Sequence, residues 1–308
     1  AGETFESGTC GENVTYSLNK NTGVLTISGT GKMADYSSNR HSPFYKNKKI
    51  KEVIIEDGVT SIGSCAFEEC ISLTSITIPE GVTRIGSCAF YGCSSLTSIT
   101  ISEGVRIIDS HAFYGCKSLT SITIPEGVAS IGIYVFYGCS SLTSIAIPKG
   151  VTSIGSFAFY GCSSLTSITI PEGVTSIGNY VFYGCSSLTS IAIPKGVTSI
   201  GSSAFENCSG LTSVTIPDSV TSIDYQAFYY CSSLTSATIP KNVTSIGINA
   251  FMYCSSLTSV TVPEGVAHID SDAFSYVNNI IYNGSLSGSP WGAKCINGYI
   301  EDGLVYKD

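Results

Sequence analysis

Cysteine and histidine are the residues of this chain that could do chemistry, and their spacing decides which kind. There are 13 cysteines, and nine of them stand 23 residues apart: Cys70, Cys93, Cys116, Cys139, Cys162, Cys185, Cys208, Cys231 and Cys254. Such a column could be a ladder of disulfides or of metal-binding thiolates. A zinc site needs several ligands converging on one point, and no second Cys or His accompanies each member. Stacked equivalents also carry parallel Cβ vectors, which do not suit a disulfide. The column is therefore expected to be nine small buried hydrophobes at turns. Cys65 and Cys88 are also one unit apart, at a more variable position, which leaves a bridge open there. Cys10 and Cys295 lie near opposite ends of the sequence and are not expected to pair.

The three histidines are His41, His111 and His268. A catalytic triad needs nucleophile, base and orienting group together, and none of the three has that company. His111 shares its column with Cys, Tyr, Phe, Ser, Gln, Asn and Asp, so it is expected at the surface. His268, Asp270 and Asp272 come nearest to a metal set. Asp270, however, fills a turn column that Asp109 and Asp224 also fill, and a structural turn is the simpler reading. The glycines recur as turns and form no phosphate-cradling loop. No catalytic residue, metal ligand or cofactor is assigned, and the chain is not expected to be an enzyme.

The elements that hold these columns follow from a repeat. The valines Val59, Val82, Val105, Val128, Val151, Val174, Val197, Val220, Val243 and Val266 are each 23 residues apart. A representative unit is residues 151–173, VTSIGSFAFYGCSSLTSITIPEG. Its Leu165-x-x-Ile168-x-Ile170 run has the two-residue alternation of a strand with one buried face. Pro171 then ends the strand, having no N–H for the ladder; Ser102 replaces this proline once. Gly155 and Gly173 mark two turns. Their replacement by Asp in one column, and by Ser or Asn in the other, predicts backbone near positive φ. Val151 and Ile154 point inward from a second short extended segment. Residues 158–162, Ala-Phe-Tyr-Gly-Cys, read as a tight helical or 3₁₀ turn.

The inward set of one unit is Val151, Ile154, Ala158, Phe159, Cys162, Leu165, Ile168 and Ile170. Each is worth roughly 1.5–3 kcal/mol if fully buried, while ordering each residue costs about 1–2 kcal/mol of backbone entropy. One unit alone should not fold, whereas stacked units share a core. At ~4.8 Å per stacked strand, ten units predict a rod or arc of roughly 50 Å. The fold class is thus a mainly β repeat solenoid.

At this point the residues carry a resemblance. The run L-x-x-I-x-I-P-x-x-V-x-x-I-G-x-x-A-F-x-x-C strongly resembles the BspA-like (Treponema pallidum-type) leucine-rich repeat. Residues 165–185 match it with Val181 for Ala, and residues 96–116 match it with Ser102 and Asp109 as departures. The resemblance covers about residues 50–280. It implies a bacterial secreted or cell-surface protein, an extracellular location, and adhesion to host matrix proteins or other cells through a protein ligand. The expected organisation is an N-terminal β-hairpin cap over 1–58 and repeats over 59–275. A C-terminal cap, or the start of a truncated continuation, follows over 276–308. The hairpin is Val14-Thr15-Tyr16-Ser17-Leu18, a turn at 19–23, then Val24-Leu25-Thr26-Ile27. At the other end Pro290-Trp291-Gly292 is expected to plug the open core, and residues 299–305 read as a further strand pair.

Charge excludes some partners. Charged residues make up 12% and the net charge is -8; the one dense basic run, Lys46, Lys48, Lys49 and Lys51, reads more simply as a solvated turn, and no nucleic-acid partner is expected. No apolar run approaches the ~20 residues of a membrane span, so no membrane insertion is expected. The opening Ala1-Gly2-Glu3 fits a mature or engineered start, and the lack of a leader says little about export. Three surfaces are candidates for a ligand. One is the flat strand face, with Ser98, Ser121, Ser144, Ser167 and Ser190 beside Thr100, Thr123, Ala146, Thr169 and Ala192. The second is a mixed-charge row from Glu80 to Glu264. The third is an aromatic column, Tyr91, Tyr114, Tyr137, Tyr160, Tyr183 and Tyr229, interrupted by Glu68, Glu206 and Met252. A tyrosine row can anchor a protein or stack on a carbohydrate, or it can be half-buried cover for the next turn.

Overall fold

In most units the alternating run yields strands of two or three residues, because only the inward side chains meet a core; residues 165–170, the run expected to be a strand in the representative unit, carry none. The computed structural model of the protein describes residues 2–288 and 290–298. Its two compact units are Ala1–Cys162 and Ser163–Asp308, and each is a stack of 23-residue rungs. Pairing is parallel and in register: Ser75, Ile76 and Thr77 face Ser98, Ile99 and Thr100, one repeat on. In the second unit Ser190, Ile191 and Ala192 face Ser213, Val214 and Thr215. A second line of two-residue strands forms the other wall, as at Ser130–Ile131 with Ser153–Ile154 and Ser222–Ile223 with Ser245–Ile246. The two walls and the turn segment enclose the core, where the Val, Ala, Phe, Cys and Leu columns are essentially inaccessible. The phenylalanines stack on one another at 5.5 Å from Phe44 through Phe67 to Phe90, and at 5.2 Å from Phe205 through Phe228 to Phe251.

The turn segment is where expectation and structure part. No helix forms among the described residues. Alternate N–H groups close local turns: Ala158 donates to Gly155, Tyr160 to Phe157 and Cys162 to Phe159. The intervening ones donate to the next rung, as Tyr134 to Ser156, Phe136 to Ala158 and Gly138 to Tyr160. A helix would keep all these donors inside one rung. Here half of them join rung to rung.

Positive φ is also placed differently. Gly155 and the Gly86, Gly132, Gly201 and Gly247 of its column are absent from the left-handed region. Gly155 lets two rungs approach closely: a Cβ there would stand 2.5 Å from the backbone nitrogen of Ile133 in the rung below, and the rungs with Asp109, Asp224 or Asp270 in this column accommodate one. The left-handed residues are those of the variable column, from Cys65 at +54° through Phe157 at +62° to Asp272 at +59°. A second left-handed column holds Gly92, Gly115, Gly138, Gly161 and Gly184, all at +70°.

The two ends are built differently from the repeats. Strands β1 (Phe5–Thr9), β2 (Val14–Asn19) and β3 (Val24–Gly29) form an antiparallel meander, and β3 passes the ladder on by pairing parallel with Glu52–Ile55. Phe44 already stands in the phenylalanine stack. At the other end the rungs shorten: Val260 pairs with Ile280, and Ile280 with Ile296. Trp291 is buried, its ring edge-on to Tyr282 at 5.1 Å and its carbonyl accepting from the Phe274 N–H. The strand pair expected at 299–305 lies outside the described residues.

Candidate binding surface

The aromatic column sits on the turn segment, one residue beyond each core phenylalanine. Its spacing is therefore set by the stack beneath it. In the first unit Tyr91, Tyr114, Tyr137 and Tyr160 lie face to face with ring centroids 4.5 Å apart at each step. All six tyrosines of the column, Tyr183 and Tyr229 included, are half-buried. Burial is the main cause that pushes the Tyr114 hydroxyl up to about 12, with the hydroxyls of Tyr137 and Tyr91 adding to it.

Beside this ladder runs a second one that sequence reasoning missed. His111 stacks on Tyr134 at 4.6 Å, and Tyr134 on Phe157 at 4.6 Å. His111 was expected simply at the surface; it is half-buried, and burial lowers its pKa, which favours the neutral ring. Together the two ladders make a plate of seven rings. The sequence signal was present but disguised, because the column reads as variable when only residue identity is compared.

In the second unit Tyr180 and Tyr183 lie 6.0 Å apart, as Phe157 and Tyr160 do in the first. Further along, Tyr230, Tyr253 and Tyr276 occupy the left-handed column of Gly92, Gly115, Gly138 and Gly161, at +60°, +64° and +69°. Tyr230 and Tyr253 lie 4.6 Å apart, Tyr253 and Tyr276 4.4 Å, and Tyr229 meets Tyr253 edge-on at 5.6 Å. This row too was missed, although its members are 23 residues apart.

The other candidates are quieter. The Ser and Thr side chains of the strand face are exposed, and a groove of about 620 Å³ opens there in the second unit between Ile168, Ala192 and Thr215. The charges of the edge row, Glu80, Glu103, Glu126 and Lys149 in the first unit, are exposed and form no ion pairs among the described residues. His268 and Asp270 form a pair at 2.7 Å, and Asp272 accepts from the Ser275 hydroxyl. No group of three or more His, Cys, Asp or Glu side chains is placed to hold a metal among the described residues.

The cysteine column is buried as expected, and each thiol also has a partner. Cys93 donates to the Phe67 carbonyl and Cys208 to that of Phe182, both at 3.1 Å, with Cys139 and Cys162 bonded alike at 3.2 Å. Each acceptor lies 26 residues back. Cys65 and Cys88 are half-exposed thiols and not a disulfide. Burial raises both, Cys65 to about 12.

The comparisons with known proteins agree with this architecture. The BspA type leucine rich repeat region model matches residues 39–166 and 152–281, with six copies. A leucine-rich repeat protein from Eubacterium ventriosum is similar at 27% identity with a TM-score of 0.66, over 95% of this chain and 84% of that one. The T. pallidum leucine-rich repeat protein is 31% identical with a TM-score of 0.51, over 64% of this chain and 86% of that one. One from Bacteroides ovatus is 25% identical with a TM-score of 0.53, over 88% and 93%. No match was found among curated proteins. No helix among the described residues is long and apolar enough to cross a membrane. The rung geometry, the buried Phe and Cys columns and the extent of the family match agree, and the chain belongs to the BspA-type leucine-rich repeat family.

Proposed function

We propose that this chain works outside the cell or at its surface as a protein-binding module, adhering to host matrix proteins or to other cells. The observation that carries the reading is the seven-ring plate of the first unit, a half-exposed aromatic surface repeated at rung spacing. Tyrosine is enriched where proteins meet, because one rigid side chain offers both apolar area and a polar tip. Family membership supports the same reading.

A carbohydrate-binding role for the tyrosine column has less support. Sugars stack on open ring faces, and within the ladder each inner ring has both faces covered by its neighbours. What the plate offers is ring edges and hydroxyls, which suit the mixed polar and apolar surface of a protein. Binding to a panel of purified matrix proteins, run beside a glycan array, tests the reading. The substitution Tyr137→Ala with Tyr160→Ala should weaken a detected protein interaction by about tenfold or more. Unchanged binding would remove the plate from the site, and binding on the glycan array alone would favour the carbohydrate role.

A further inference from the structure

Glycine adopts the left-handed region without a steric cost, whereas a bulky side chain there is strained. The first unit uses glycine in this column at Gly92, Gly115, Gly138 and Gly161, after Lys46 and Glu69, and the second unit begins with Gly184 and Asn207. The second unit places Tyr230, Tyr253 and Tyr276 in the same backbone conformation. Strain of this kind persists where something else is gained. The three rings are not hidden: Tyr230 is 45% exposed and Tyr276 51%. Tyr276 stacks on Tyr253 through one face, and no other ring covers its second face among the described residues.

The surroundings of this row are acidic. Glu206 lies close enough to act on the Tyr229 hydroxyl, and Asp272 stands in the same turn as Tyr276, hydrogen-bonded to Ser275. Asp224 and Asp270 occupy the adjoining corner of the rungs, where Asp270 is already paired with His268. The cations of this stretch sit elsewhere: Lys241 follows the proline at the far end of the strand, and Lys294 is bonded to Asn278. An exposed ring beside carboxylates is the setting that attracts a guanidinium, which stacks on the ring and pairs with the acid.

We propose that Tyr229, Tyr230, Tyr253 and Tyr276, with Glu206 and Asp272, form a second contact surface that docks an arginine-bearing segment of a protein partner. It deepens the protein-binding reading but lies on different rungs from the seven-ring plate, so the two can fail separately. The test is titration of the whole chain with three probe peptides of equal length, alternating glycine with arginine, with lysine or with glutamate. The arginine peptide should bind at least about tenfold more tightly than the lysine peptide, and the glutamate peptide should not bind. The substitution Tyr253→Gly with Tyr276→Gly should weaken arginine-peptide binding at least tenfold. Because glycine suits the backbone there, Tm should move by no more than about 3 °C. Tyr137→Ala with Tyr160→Ala, in the other plate, should leave this binding unchanged. Equal binding of the arginine and lysine peptides would mean that the net charge of -8 alone attracts them, and would overturn the proposal. So would full binding by the double glycine variant. A fall in Tm well beyond that range, with binding retained by Glu206→Gln and Asp272→Asn, would assign the tyrosine row to stability alone.

Discussion

A buried thiol is a weak hydrogen-bond donor, and in each rung it finds a carbonyl that already has one partner. The Phe67 carbonyl accepts the Cys70 N–H at 3.1 Å and the Cys93 thiol at 3.1 Å. Both lone pairs are used, and one oxygen ties a local turn to the rung above. The burial of this column was legible in the sequence, because it keeps step with Phe and Leu. The thiol bond was not, since it joins residues 26 apart whose proximity depends on the fold. The same burial has a consequence in alkali. It pushes Cys70, Cys139 and Cys254 up to about 12, and Cys93, Cys116 and Cys231 well above the usual range. In the unfolded chain a thiol titrates near 8.5. Above about pH 8.5 the unfolded state therefore binds fewer protons than the folded one, and stability falls as pH rises. The loss continues up to about pH 12, at about 1.4 kcal/mol per pH unit for each thiol. Urea unfolding in the presence of a reductant should show the midpoint dropping steeply between pH 8 and 10. A flat profile would mean that the thiols are not held protonated.

The strands were legible because their period of two is written in single residues. The turn segment reads in sequence as a helical or 3₁₀ turn because its pattern is two apolar residues, two others and a cysteine; its local bonds are of the 3₁₀ i→i−3 kind, but they alternate with bonds between rungs and no helix forms. What decides against a helix is the left-handed residue at its start, and that residue is Cys, His, Tyr, Phe, Ser, Gln, Asn or Asp. Asn249 and Asp272 carry a weak signal of positive φ, but Cys, Tyr, Phe, Ser and Gln carry none. The two kinds of turn position should therefore respond oppositely to substitution. Gln226 is held at +53°. Gln226→Gly should raise stability by about 0.5–1 kcal/mol by relieving the strain. Gly63 lies outside the left-handed region, yet its would-be Cβ collides with the carbonyl of Ala34. Gly63→Ala should cost about 1–3 kcal/mol through backbone displacement. Chemical denaturation of both variants checks the pair. A destabilised Gln226→Gly would show that the column tolerates left-handed backbone without strain.

At the scale of the molecule the repeat was the most legible feature, since ten units in step leave little choice of architecture. The binding surface was only half legible. Tyr91, Tyr114, Tyr137 and Tyr160 were readable as a column, but their face-to-face stacking and the His111, Tyr134 and Phe157 ladder beside them needed the turn geometry. Near-identical rungs make a row of similar contacts, with no single pocket to concentrate affinity. Loss of affinity should therefore be graded along the plate. Each single alanine substitution should weaken a matrix-protein partner by a few-fold to about tenfold, as expected for one aromatic contact worth about 0.5–1.5 kcal/mol. Distance should set the coupling. Tyr91 and Tyr160 are three rungs apart, roughly 14 Å at strand spacing, so their effects should add to within about 0.5 kcal/mol. Tyr114 and Tyr137 share a ring face at 4.5 Å, and removing one alters the seat of the other. Their double-mutant cycle should deviate from additivity by about 0.5–1 kcal/mol or more. If one tyrosine abolished binding and the other three had no effect, the contact would be a local hot spot and not an extended row.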